Sequence, residues 1–171
     1  MKILLLFLIL SVGACTTKPH SSEVAPDAQQ WQQTVEELNT LLKEKNFQEA
    51  IGKSRQKLSQ LLATADIAVP NDTLVKYVRQ ILNLAYYSYQ GSRRFPPGIE
   101  YLDSISNNPF LQQHCKHELL SARASLYQLY GDNRTAIQLA DEYLQLPEYD
   151  DADRYIPVSY THLTLPTICS V

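Results

Sequence analysis

The residues able to carry chemistry in this 171-residue chain are few and scattered. The densest group is His114-Cys115-Lys116-His117. Two imidazoles at i and i+3 share a helical face and could begin a transition-metal site. Cys115, however, falls on an apolar stripe with Leu111 and Leu119, which turns its thiol toward a core and away from both rings. A tetrahedral site needs further ligands and the sequence places none, so no metal is expected here. The acidic run Glu148-Tyr149-Asp150-Asp151-Ala152-Asp153 lacks the spacing of a calcium loop and reads as a solvated interhelical turn. Paired carboxylates, an activated nucleophile and a phosphate-cradling loop are all missing from the sequence, so neither catalysis nor a cofactor is expected. Net charge is −3, and Arg93-Arg94 is an isolated basic pair. Nucleic-acid binding needs a concentrated basic face and is not favoured.

Cys15 is a different case. Lys2 precedes an apolar run from Ile3 to Ser11, too short to span a bilayer as a permanent helix. The small residues Val12-Gly13-Ala14 then lead into Cys15. The arrangement resembles a bacterial lipoprotein signal with its lipobox. That resemblance implies a signal peptide over residues 1–14, cleavage before Cys15 and acylation of Cys15. It also implies a lipid-anchored place in the envelope of a Gram-negative bacterium, facing the periplasm. Each buried methylene contributes about 0.8 kcal/mol, so two or three acyl chains hold firmly where one holds marginally. Thr16, rather than Asp, follows the cysteine, which by resemblance to enterobacterial sorting leans toward the outer membrane. The alternative is an ordinary secretory signal with a cysteine near its cleavage point. Residues 15–30 are polar, contain Pro19 and Pro26, and read as a flexible tether.

The other end breaks pattern. Arg154 is the last charged side chain, and residues 155–171 are rich in Thr, Pro and β-branched types. The string from Val158 to Val171 resembles translated sequencing-adapter read-through, so residues 155–171 are expected to be a non-native tail. On that reading the natural chain continues past Arg154, and His162 and Cys169 carry no function. The alternative is a genuine C-terminal strand. Without the tail, Cys115 is the sole cysteine of the domain and a buried thiol is expected.

Residues 31–154 suffice for one domain with its own core. Apolar positions keep helical spacing throughout. Trp31, Val35, Leu38 and Leu42 form one stripe, and Ala50, Ile51, Leu58 and Leu61 a second. Val78, Ile81, Leu82, Ala85 and Tyr89 form a third, followed by Ile99, Leu102 and Ile105. Leu111, Cys115, Leu119, Ala122, Leu126 and Leu129 continue the pattern, and Ile137, Ala140, Tyr143 and Leu144 close it. The boundaries have chemical causes. Asn46 with Glu49 makes a capping box, and Asn71 or Asp72 can cap a helix starting near Thr73. Pro96-Pro97 and Asn108-Pro109 can open helices, and Gly131-Asp132 supplies a turn and then a cap. The expectation is six helices in three hairpins.

The hairpins also repeat. At a shift of 38 residues Leu82 meets Leu120, Tyr89 meets Tyr127, Ile99 meets Ile137, Asp103 meets Asp141 and Pro109 meets Pro147. Gly98 meets Ala136, small against small, where two helices of a hairpin cross closely. The Ala50-Ile51 and Ala136-Ile137 steps and the closing prolines resemble tetratricopeptide repeats (TPR). The family's Trp-x-x-Leu-Gly start is missing and the spacing is longer than its usual ~34 residues. An irregular helical bundle is the alternative. The resemblance implies an all-α fold of antiparallel hairpins stacked as a short TPR-like solenoid. Its concave groove would be lined by the first helix of each pair and would bind a protein or peptide. Tyr87, Arg123 and Tyr130 occupy non-core positions of those helices and are candidate partner contacts, although plain amphipathic surface would place them there too. The stretch from Tyr101 to Arg154 is also similar to helical-repeat regions ahead of the transmembrane segment in histidine kinases of Bacteroides-type bacteria. A periplasmic sensor fragment of such a kinase is therefore the alternative function.

Overall fold

In the computed structural model, the structure describes residues 26–65 and 71–147. Seven α-helices and no strand occur among the described residues: α1 (Pro26–Lys43), α2 (Phe47–Thr64), α3 (Asp72–Gly91), α4 (Phe95–Ile105), α5 (Pro109–His114), α6 (Lys116–Tyr130) and α7 (Asn133–Leu144). The fold is all-α. The signal segment, Cys15, the acidic run from Glu148 and the proposed non-native tail lie outside the described residues.

Several helix ends follow from local chemistry. The Asn71 side chain accepts a hydrogen bond from the Thr73 N–H at 2.9 Å, and Asn108 accepts one from the Leu111 N–H at 3.2 Å. Asp132 accepts from the Thr135 N–H at 3.1 Å, after Gly131 has ended α6 in the left-handed region at φ 100°. These bonds satisfy amide donors that a helix start leaves without intrahelical partners. Asn46 departs from the expected capping box: its amide donates to the Glu49 carboxylate at 2.7 Å, and no side-chain bond reaches the backbone. α1 opens at Pro26, inside the stretch read as tether. Proline suits a first helical position, where its missing N–H has no partner to lose.

Three tight turns share one backbone device. Lys45, Arg93 and Gly131 adopt φ of 59°, 56° and 100°, each two residues before a helix begins. The α1–α2, α3–α4 and α6–α7 connections are thus three versions of one turn, and Arg93 and Gly131 are related by the 38-residue shift.

Six helices become seven because the run from Leu111 to Leu129 is broken. Cys115 sits at φ −134°, ψ 22°, between α5 and α6. The break leaves the His114 carbonyl outside the helical ladder, and the Arg79 guanidinium on α3 donates to it from Nε at 3.2 Å and Nη2 at 2.9 Å. The same guanidinium pairs with Glu118 at 3.2 Å. Arg79 therefore clamps the junction from outside.

Helices pack mainly on their sequence neighbours. α1 and α2 pack together and against α3, α4 and α3 pack against α6, and α6 packs on α7. The main core runs from Leu38 through Leu58, Ile81, Leu82, Leu102, Phe110 and Leu119 to Leu126. A smaller cluster of Leu120, Ala124 and Leu139 lies between α6 and α7. Gly98 stands at the expected close crossing: a Cβ there would lie 2.8 Å from Tyr89 Cγ and 2.9 Å from Leu126 Cδ1. Buried Ser54 and Ser88 return their hydroxyls to carbonyls of their own helices, Ile51 and Leu84, at 3.1 and 2.7 Å. The final stripes, however, are incompletely covered. Leu129, Ile137 and Leu144, expected in the core, are 44%, 39% and 71% exposed. Periodicity identified an apolar face there, but no described element lies over it.

Candidate functional site

The candidate contacts are distributed rather than clustered. Tyr87 on α3 is half-buried against the main core, with its ring 5.0 Å from that of Tyr86. Arg123 on α6 is drawn into a polar bridge. Its Nε donates to Asp103 Oδ1 at 2.8 Å, and the Tyr127 hydroxyl donates to Asp103 Oδ2 at 2.6 Å. One carboxylate on α4 thereby receives two donors from successive turns of α6. Burial, then the bond to Asp103, pushes the Tyr127 phenol up to about 12, which keeps it a donor at every physiological pH. Tyr130, at the end of α6, is 57% exposed. It stands two turns beyond Arg123, about 10 Å along the axis. Among the three, Tyr130 offers the most open surface, Arg123 is committed to a neighbour, and Tyr87 presents part of its ring.

Other side chains hold the layers together. The Arg55 guanidinium lies 4.7 Å above the Tyr101 ring, joining α2 to α4 through a cation–π contact. Arg94 donates to Gln48 Oε1 at 2.7 Å across two of the tight turns. Lys53 pairs with Glu37 on α1 and with Glu49 on its own helix at 3.1 Å. Lys116 reaches Glu142 on α7 at 2.9 Å.

The His-Cys-Lys-His segment does not converge. The His114 ring packs on Phe110 at 5.0 Å, whereas the His117 ring meets Tyr143 edge-on at 5.4 Å. Cys115 is a buried free thiol, and burial pushes its pKa up to about 12. A protonated, enclosed thiol is neither a nucleophile nor a ready metal ligand. Among the described residues no group of three His, Cys, Asp or Glu could hold a metal ion. Nor is any described helix long and apolar enough to cross a membrane.

Two structural features escaped the sequence reading. Asp103 was visible only as half of a repeated pair with Asp141, because nothing in helical periodicity assigns a carboxylate to donors on another helix. The open face of the last helix pair was also hidden. Tyr130, Leu129, Ile137 and Leu144 are the exposed large hydrophobics of the described residues, and all belong to α6 and α7. Comparison of this chain with known families, curated proteins and solved structures finds no match.

Proposed function

We propose that this chain is a membrane-tethered helical-repeat module of the bacterial envelope that engages a peptide or protein partner, with Cys15 as its lipid attachment point. The supporting observation is the order of packing: each helix pair lies against the next in chain order, α1 and α2 on α3, then α3 and α4 on α6. Stacking of that kind is the basis of repeat proteins, in which each unit buries its apolar stripe on its neighbour. The matching left-handed residues Lys45, Arg93 and Gly131 support three variants of one antiparallel hairpin. Contact of α1 with α3, and of α3 with α6, favours a layer of first helices along which a partner can lie. Within that layer Tyr130 supplies a large amphipathic ring at low entropy cost, with Tyr87 beside the core.

The test uses the full chain expressed in a Gram-negative host. An alkyne analogue of palmitate should label the protein and should fail to label Cys15→Ser, which leaves the membrane fraction. A photo-crosslinking residue at Tyr130 or Tyr87 should give a discrete adduct with an envelope protein. The same group at Gln60, exposed on α2, should not. Equal labelling of Cys15→Ser would overturn the anchor, and absence of an adduct at both tyrosines would overturn the binding role.

A further inference from the structure

α2 and α4 meet through long side chains rather than by close packing, since α2 packs on α1 and α3 while α4 packs on α3 and α6. Two bridges join them. Arg94, just before α4, donates to Gln48 Oε1 at 2.7 Å, and the Arg55 guanidinium lies 4.7 Å above the Tyr101 ring. Gln48 and Arg55 are seven residues apart on α2, and Arg94 and Tyr101 are seven apart along α4. The two helices therefore run parallel, with bridges two turns and about 10 Å apart. Tyr89 of α3 floors the span. Its ring stands 6.2 Å from that of Tyr101, and its Cβ and Cγ lie against Gly98. Tyr89 is 1% exposed, yet its hydroxyl has no hydrogen-bond partner among the described residues. Buried hydroxyls ordinarily find an acceptor, because leaving one unmade is unfavourable. The charges acting on this phenol are Arg55, Arg94 and, opposing them, Glu100. Burial raises it above its ordinary value, so at neutral pH it is a donor. Arg55 is itself exposed and has no carboxylate partner among the described residues. One cleft thus holds an orphaned donor, an unpaired guanidinium and a second guanidinium bound to a neutral amide, with no anion among them.

We infer that the cleft between α2 and α4 binds a small monocarboxylate, with the carboxylate on Arg55 and the Tyr89 hydroxyl and an apolar body lying along Ile51 toward Arg94. Ile51 falls between Gln48 and Arg55 on the same face of α2. A guanidinium and a phenol are both donors, and together they match the two oxygens of a carboxylate. Two guanidiniums set against Glu100 leave about one positive charge, which suits a single negative charge better than the nearly two of a phosphate. The side-chain bridges at either end admit a small molecule rather than a peptide strand. The Tyr89 hydroxyl is enclosed in the free chain, so Arg55 turns outward from Tyr101 to admit the ligand. A cation–π contact at an exposed site is weak enough to give way to a charge-assisted pair. The cleft belongs to α2 and α4, the second helices of their pairs, and so stands apart from the layer of first helices proposed for the protein partner.

The probe is benzoate, titrated into the full chain and followed through the arginine Nε–H resonances by nitrogen-correlated NMR. Chloride and inorganic phosphate at matched ionic strength are the comparators. The Arg55 and Arg94 resonances should shift saturably with benzoate and little with chloride. Arg55→Gln and Tyr89→Phe should each weaken binding about tenfold. Lys76→Gln removes the same charge from an exposed site on α3, thirteen residues from Tyr89, and should leave binding unchanged. Tyr89→Phe should also melt no lower than wild type, because it deletes a buried hydroxyl that has no partner to lose. No saturable shift overturns the proposal, as does an equal loss with Lys76→Gln, which would mark general charge screening. Phosphate binding more tightly than benzoate overturns the assignment to a carboxylate. Marked destabilisation by Tyr89→Phe would show that the hydroxyl is already satisfied within the fold, and the site would fall with it.

Discussion

Replacing Gly98 by alanine should destabilise this protein, although the same change elsewhere in the same fold should stabilise it. Gly98 lies inside α4, where alanine ordinarily gains about 1 kcal/mol over glycine through lower backbone entropy and better helix propensity. The added methyl, however, would stand 2.8 Å from Tyr89 Cγ, 2.9 Å from Leu126 Cδ1 and 3.0 Å from Tyr89 Cβ. Ordinary carbon contacts begin near 3.5 Å. Tyr89 is 1% exposed and Leu126 is fully enclosed, so neither can swing into solvent. Two of the opposing atoms are the root of the tyrosine side chain, which moves only with the α3 backbone. Overpacking of this kind costs about 1–3 kcal/mol, so after the helix gain the net loss is up to about 2 kcal/mol. Gly52 is the control. It lies in α2, is exposed, and has nothing within 4 Å of a built Cβ, so Gly52→Ala should gain up to about 1 kcal/mol. Urea unfolding followed by far-ultraviolet circular dichroism measures both, with unchanged slope confirming that the denatured state is not the cause. For a domain of this size the two midpoints should separate by several degrees on heating, in opposite directions from wild type. Gly98→Ala as stable as Gly52→Ala would refute the close crossing of α3, α4 and α6.

Arg79→Leu should cost about 2 kcal/mol in the same assay, because it strips the donors from the His114 carbonyl and leaves half-buried Glu118 without its ion pair; a neutral result would mean the α5–α6 junction needs no clamp. Arg93→Gly should stabilise by about 0.5–1 kcal/mol, since its φ of 56° strains any residue with a Cβ, and Lys45→Gly should behave alike. Alkaline titration should unfold the protein early. Burial raises Tyr101 and Cys115 to about 12, so their contributions are intact below the unfolded values of about 10 and 8.5 and are lost as pH climbs toward 12. Tyr101→Phe should move that midpoint upward; an unmoved midpoint would show that the phenol plays no part. Thiol reagents at neutral pH should label Cys115 only as fast as the chain opens, measured by comparing labelling with unfolding rates.

Much of the local structure was legible in the residues. Asn71, Asn108 and the Gly131-Asp132 pair mark helix ends because a short polar side chain or a Cβ-free backbone solves a defined bonding problem there. The need for a small residue at Gly98 was legible from its match with Ala136. The break at Cys115 was not. Leu111, Cys115 and Leu119 are all fully buried on either side of it, so inward-facing spacing passes through the interruption unchanged. The start of α1 at Pro26 was hidden by polar composition, which suits a solvated helix as well as a tether. Exposure of Ile137 and Leu144 was illegible for a third reason: a stripe defines which side of a helix is apolar, whereas coverage depends on a different helix. For the candidate site, Arg123 read as surface because its acceptor lies 20 residues upstream, beyond any helical period.

The division of the interior into a large cluster and a small one has a consequence for how the molecule opens. α7 packs mainly on the single helix α6, through the small cluster of Leu120, Ala124 and Leu139 with Tyr127, Tyr143 and Leu146 around it, whereas α3 is contacted by α1, α2, α4 and α6. Local unfolding follows the smallest buried unit. Amide protons of α7 should therefore exchange with deuterium first and those of α3 last, so this end frays while the middle holds. Equal exchange in α7 and α3 would show instead that the two clusters open as one cooperative unit, and the smaller cluster would then set no seam of its own.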